Sequence, residues 1–407
     1  MPLYIMCMRP NSFDTKLVAN RDEEYSKIKG KIGMFLDNRD EERRKLMIYG
    51  ERGVGKSILI IKILKDISEE KDLITISIDG DEARNPEDLL RDICKNLAEE
   101  LYNFYTKNEN KNDVIDKEIA FLDYISYAKT LKDTDVITIV ERLEGNIESS
   151  IGIFNILALR SKIGAVEGKD HTTSHEIEQS IDSKFIIKLL ENVTEKVHDF
   201  ADILIYIDNL DQLEDKDSID DFVTEIIKLK KPILVTSMRR EVADRNIGRD
   251  FKEVQYIEPM TSDGLILVFK KRLEIGCSKK DELLNTQLLD IAEILKDCTG
   301  NPLSFLTWLN YLIVDADLDS SKIVKNLRGF TKAYYSTFDE KKIEEIAKYF
   351  ISAGSEFLHK EKIISELGIE NDLLDMLDDF GVIIPENRYN PRSYKVSSDF
   401  MFYQLDS

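Results

Sequence analysis

Two stretches of the chain hold residues whose types and spacing could do chemistry. The first runs Gly50-Glu51-Arg52-Gly53-Val54-Gly55-Lys56-Ser57 and continues into Ile58. It fits the pattern G-x-x-x-x-G-K-[ST]. It lies between a short apolar run over 45–50 and an apolar-faced helical pattern over 57–70, the strand–loop–helix context that gives this pattern its meaning. Glycines let the backbone wrap around phosphate groups and present its N–H groups to them. The N-terminus of the following helix adds positive potential. Residues 50–58 therefore read as a phosphate cradle. Lys56 is expected to reach the β- and γ-phosphates of a nucleotide, ATP or ADP, and Ser57 to coordinate magnesium.

The second stretch is Ile203-Leu204-Ile205-Tyr206-Ile207-Asp208-Asn209-Leu210-Asp211. Its apolar run reads as a buried central strand, and Asp208 stands at the tip where doubly wound sheets bind ligands. A carboxylate there would hold magnesium, directly or through water. The residue after it is Asn209, which can orient a water but cannot take its proton. Asp211 is the fallback acid, although it and Glu214 read more readily as solvated loop acids or helix caps than as bases.

Those residues need elements to position them. Apolar residues make up 42% of the 407 positions and charged residues 33%, a globular composition. Helical periodicity covers 21–37, 57–70, 85–105, 114–133, 136–150, 176–200 and 215–230, with Asn85 and Pro86 as the start signal of the third. Strands are expected at 45–50, 73–80, 203–207, 232–238 and 253–259. Residues 151–168 could form a hairpin. Strands alternating with helices imply a parallel sheet covered on both faces. From 261 the pattern turns to successive helices.

The combination resembles the AAA+/STAND branch of P-loop ATPases, close to prokaryotic STAND proteins and initiator-type (origin-recognition) ATPases, over nearly the whole chain. Residues 17–28, with Arg21, are similar to that branch's entry segment, which flanks the adenine. Residues 232–240 resemble the strand whose polar end senses the γ-phosphate; Thr236, Ser237 and Arg239 are the candidates. Residues 244–261 resemble the stretch whose arginine reaches a neighbouring subunit's nucleotide, with Arg249 first and Arg245 second. Residues 298–309 resemble the Gly-x-Pro element of STAND lids, so Gly300 and Pro302 carry over; the same residues also read as one helix ending and another starting. Initiator ATPases usually carry an arginine just after that glycine, and none occurs here between Gly300 and Arg328. Another departure is Asn209, where the family usually has an acid. A third is the 152-residue separation of Lys56 and Asp208, which places an insertion at about 106–180.

The fold class implied is α/β: a P-loop NTPase parallel sheet flanked by helices over 1–260, an α-helical lid over 261–338 and a winged helix over 339–407. Its third helix would hold Asp372, Asp375, Asp378 and Asp379 and no basic residue, with Arg388, Arg392 and Lys395 near the wing. The whole chain has 57 Lys and Arg against 78 Asp and Glu. That balance disfavours DNA and leaves it only local patches. The activity implied is ATP binding with slow magnesium-dependent hydrolysis in a switch that forms a homo-oligomer on ATP binding. A protein partner would dock on the insertion or the winged helix. The alternatives are an initiator- or transposition-type DNA-binding ATPase and a scaffold that holds nucleotide without hydrolysing it. Four cysteines without CxxC spacing fit a reducing, cytoplasmic setting. No signal segment is read at the start. The apolar stretch 149–168, broken by Arg160 and Lys162, is too short to span a membrane comfortably.

Overall fold

The computed structural model describes residues 15–38, 44–83, 85–107, 113–127, 130–131, 179–180, 183–212, 218–240, 251–276, 282–315, 320–354, 357–386 and 391–406. The stretches 136–150 and 151–168, Arg245, Arg249 and Arg388 lie outside the described residues.

Five strands build the central sheet: β1 (Lys45–Gly50), β2 (Leu73–Asp79), β3 (Asp202–Asp208), β4 (Ile233–Arg239) and β5 (Glu253–Ile257). Their order is β2-β3-β4-β1-β5, and every pairing is parallel. Helices cover both faces, as a parallel sheet requires. On one face, Leu46 and Ile48 of β1 and Leu204 and Tyr206 of β3 pack with α1 (Asp22–Asp37) and α2 (Lys56–Glu70). On the other, Met47, the isoleucines of β2 and Ile203, Ile205 and Ile207 meet α3 (Pro86–Lys107), α4 (Asp113–Tyr127), α5 (Ser183–His198) and α6 (Ser218–Ile226). The isoleucines of β2 and β3 alternate along their strands, so all of them fall on this second face.

The strand positions expected at 45–50, 73–80, 203–207 and 232–238 agree with β1, β2, β3 and β4 to within a residue at either end. Others differ. The helix read over 114–133 ends at Tyr127, and Thr130–Leu131 pairs antiparallel with Gln179–Ser180. The helix read from 176 starts at Ser183.

Among the described residues four helices follow the sheet: α7 (Ser262–Gly276), α8 (Glu282–Leu295), α9 (Pro302–Asp315) and α10 (Ile323–Tyr334). Then come α11 (Glu340–Ser352), α12 (Lys360–Leu367) and α13 (Asn371–Asp379), with a three-stranded antiparallel sheet of β6 (Leu358–His359), β7 (Ile383–Pro385) and β8 (Ser393–Val396). Residues Ser398–Asp406 form a 3₁₀ segment that returns onto the earlier helices. Its Phe402 meets Trp308 edge-on at 5.7 Å, and Phe400, Phe402 and Tyr403 are buried. One apolar core therefore joins Met260 through Tyr403. Among the described residues no helix is long and apolar enough to cross a membrane.

Candidate functional site

The phosphate-loop pattern lies where its glycines are needed. Gly53 and Gly55 have φ of +82° and +95°, the left-handed region that costs other residues conformational energy. A Cβ on Gly50 would lie 2.6 Å from the Ile257 carbonyl oxygen of β5, so the turn out of β1 leaves no room for a side chain. α2 starts at Lys56, and its first turn faces the same space. The Lys56 ammonium is buried and donates to the carbonyls of Gly50 at 3.0 Å and Glu51 at 2.9 Å. The loop's own backbone thus holds this cation.

Across the sheet, Asp208 ends β3. It accepts a hydrogen bond from the Ser237 hydroxyl of β4 and one from the Asn209 N–H at 3.1 Å. The Tyr206 hydroxyl is fully enclosed among Asp208, Ser237 and Ser57. Burial first, then the Asp208 charge, pushes the phenol well above its ordinary pKa. Ser57 and Asp208, far apart in sequence, thus share a neighbour, and their hard oxygens suit magnesium. Thr236 is fully buried in register with Met47, on the sheet face away from α2. Ser237, one residue on, is the β4 side chain that touches Asp208. Asp211 is buried against Arg239, whose backbone N–H donates to it at 3.1 Å and whose Nε lies 3.2 Å from its other oxygen.

These groups surround a cavity of about 380 Å³, within the range of ligand-binding clefts. Its polar lining includes Arg52, Lys56, Ser57, Asp81, Asn209 and Arg239. Its apolar lining includes Leu17, Val18, Met260, Val268, Pro302 and Leu306. Gly53, Val54, Gly55 and Ile58 line it too. Arg21 is a staple at its rim: its guanidinium donates to the carbonyls of Val54 and Glu258, both at 2.9 Å, and to Glu24. Arg272 of α7, which sequence reasoning missed, is buried beside the cavity, and burial lowers it to about 10.

Two later segments rest on the loop. Asn301 precedes Pro302, and its Oδ1 accepts from the N–H groups of Leu303 at 2.9 Å and Ser304 at 3.4 Å, an N-cap of α9. Its amide nitrogen donates to the Arg52 carbonyl, and Leu303 N–H donates to the Gly53 carbonyl at 3.3 Å. A Cβ on Gly53 would lie 2.4 Å from the Asn301 Oδ1, so that glycine is needed for close approach as well as for φ. From further along the chain, Lys395 of β8 pairs with Glu51. The Asn-Pro dipeptide ahead of an apolar helix was a legible cap signal; the grip on the loop was not.

A parallel five-stranded sheet with its phosphate loop after β1, and an acid at the tip of β3 beside it, define a P-loop NTPase. The chain belongs to the KAP family: the model of the KAP family P-loop domain matches residues 25–231. Among solved structures, the chain is similar to Cdc6p from Pyrobaculum aerophilum (13% identity, TM-score 0.44, covering 98% of this chain and 96% of that one). It is also similar to the Aeropyrum pernix ORC1 protein in complex with DNA (13%, 0.47, 97% and 93%). A Walker-type ATPase of Pyrococcus abyssi gives 13%, 0.43, 95% and 96%. No curated protein sequence matches the chain.

Proposed function

We propose that the chain is a nucleotide-operated switch that binds ATP at residues 50–58, hydrolyses it slowly and transmits the nucleotide state through its C-terminal segments. The observation that carries this reading is the convergence of Asn301, Leu303 and Lys395 on the phosphate loop. A loop gripped from two distant segments cannot close around phosphates without moving them. Lys56 must leave the Gly50 and Glu51 carbonyls to reach the β- and γ-phosphates, and the base would lie against apolar residues of the cavity lining. Ser57 and Asp208 would hold magnesium, which supplies charge neutralisation at the phosphates. Asn209 would orient water. Slow turnover follows from the amide at 209, which leaves no proton acceptor directly after Asp208, and from Asp211, whose carboxylate Arg239 engages.

Residues 339–406 would act as a winged-helix-like unit for a protein partner. α13 presents Asp372 and Asp375 with exposed Met376 and Phe380 close by, a surface that repels phosphate. Assembly into a homo-oligomer on ATP binding, in a cytoplasmic setting, completes the reading.

The test is titration of the full chain with a fluorescent ATP analogue and magnesium, with size-exclusion chromatography and phosphate release in parallel. Lys56→Ala is expected to weaken binding at least about tenfold, the equivalent of about 1.4 kcal/mol, and to abolish any ATP-dependent change in size. Binding unaffected by that substitution overturns the reading. A wild-type turnover at or above about 1–100 per second overturns the slow-hydrolysis part alone.

A further inference from the structure

Asn209 leaves open where the proton of an attacking water would go. The tips of β2 and β3 lie side by side, with Asp79 in register with Asp208. Asn209 is in the left-handed region at φ +49°, which asparagine tolerates and a longer acidic side chain does not. Its amide nitrogen donates to Asp79 Oδ1 at 3.0 Å, away from its own strand. The same oxygen accepts the Asp81 N–H at 3.1 Å, so one carboxylate ties the turn after β2 to Asn209. Gly80 permits this approach: a Cβ there would lie 2.8 Å from the Asn209 carbonyl oxygen and 3.0 Å from that of Asp208. The turn so fixed brings Asp81 to the lining of the cavity, with Lys56, Ser57 and Asn209. Among the described residues the Asp81 carboxylate has no hydrogen bond or ion pair, and it is exposed. Asp211, the other nearby acid, is occupied by Arg239.

The geometry points to Asp81 as the proton acceptor of the hydrolysis proposed above, on which this inference rests. The acid missing after β3 is supplied from the end of β2, with Asp79 and Asn209 fixing the turn that carries it. The water oxygen forms a bond to the γ-phosphorus and the bond from that phosphorus to the β–γ bridging oxygen breaks. ADP leaves, and the water's proton passes to the Asp81 carboxylate and then to solvent.

The experiment compares the wild-type full chain with Asp81→Asn, Asp81→Ser and Asp81→Glu. It measures the affinity for a fluorescent ATP analogue with magnesium, and single-turnover phosphate release from ATP. Removing a general base costs about 10²–10⁴-fold. Asp81→Asn and Asp81→Ser are therefore expected to slow phosphate release at least about 100-fold with affinity within about twofold, leaving unhydrolysed ATP on the protein. Asp81→Glu is expected to retain measurable release. If either neutral variant releases phosphate within about threefold of a wild type that turns over, the assignment of Asp81 falls and the ATPase reading stands. If the wild type binds ATP but releases no phosphate, the hydrolysis reading fails and takes the role of Asp81 with it.

Discussion

A single residue decides how the nucleotide chemistry is read. Asn209 looks like a lost acid when read along its own strand, yet its backbone conformation gives it another purpose. At φ +49°, Asn209→Glu would incur roughly 1–2 kcal/mol of left-handed strain, so it is a poor way of restoring an acid. A second residue-scale effect lies at the opposite end of the strands, where β1 begins. Lys45 is fully buried, bonded through its amine to the carbonyls of Leu229 at 2.5 Å and Pro232 at 2.8 Å. Burial, then the neighbouring Arg44 charge, lowers it to about 7 from 10.5. In the window between those values the unfolded chain binds a proton that the folded chain does not, so this group adds stability as pH rises and removes it as pH falls. Lys45→Met keeps a similar stem and drops the proton. Urea unfolding at about pH 7 and pH 9.5 should show the wild type gaining on the variant with pH. A constant gap would mean that Lys45 is charged throughout.

At the scale of elements, the sheet and its loop were legible because their signals are local. Buried parallel strands read as apolar runs, and the glycine spacing over 50–57 admits few other uses. What the sequence hid was contact between elements distant in the chain. Ser237 rather than Thr236 touches Asp208 because pleat alternation turns Thr236 to the far face, and the two are adjacent hydroxyls in the sequence. Asp79 and Asp81 carried no motif at all; only the β2–β3 register brings them to Asn209. The 3₁₀ segment Ser398–Asp406 was equally hidden, since its aromatics are ordered by packing on Trp308 and not by helical periodicity. Asn301 joins the two kinds of signal, as a local cap and a distant grip. Asn301→Asp keeps the capping oxygen but sets a carboxylate against the Arg52 carbonyl. The cap should hold, because aspartate caps as well as asparagine. The loop should be released, so the fluorescent analogue should bind and leave several-fold faster in stopped-flow traces. Unchanged rates with an unchanged melting temperature would show that the loop moves without α9.

At the scale of the molecule, three regions close on one loop. The entry segment holds Val54 through Arg21, α9 holds Arg52 and Gly53, and β8 holds Glu51 through Lys395. The last contact spans 344 residues of sequence, and the core that joins Met260 to Tyr403 carries β8 and α9 together. Motion of either should therefore move both. The Lys395–Glu51 pair is mostly buried, with both side chains near 15% exposed, and the Lys395 ammonium also sits 5.1 Å over the Phe357 ring. Lys395→Glu would set two carboxylates together and should loosen residues 340–406 from the loop. The effect expected is on the order of 1 kcal/mol, or about fivefold in the population of an opened state. Limited proteolysis of the full chain would read that population directly. Glu51→Lys alone should loosen the contact in the same way, while adding positive charge beside the phosphate site. Combining the two substitutions restores opposite charges with their places exchanged, so protection should return toward the wild-type level even where nucleotide affinity does not. Additive effects in the combined variant would show that the pair is no latch, because coupled residues must depart from additivity.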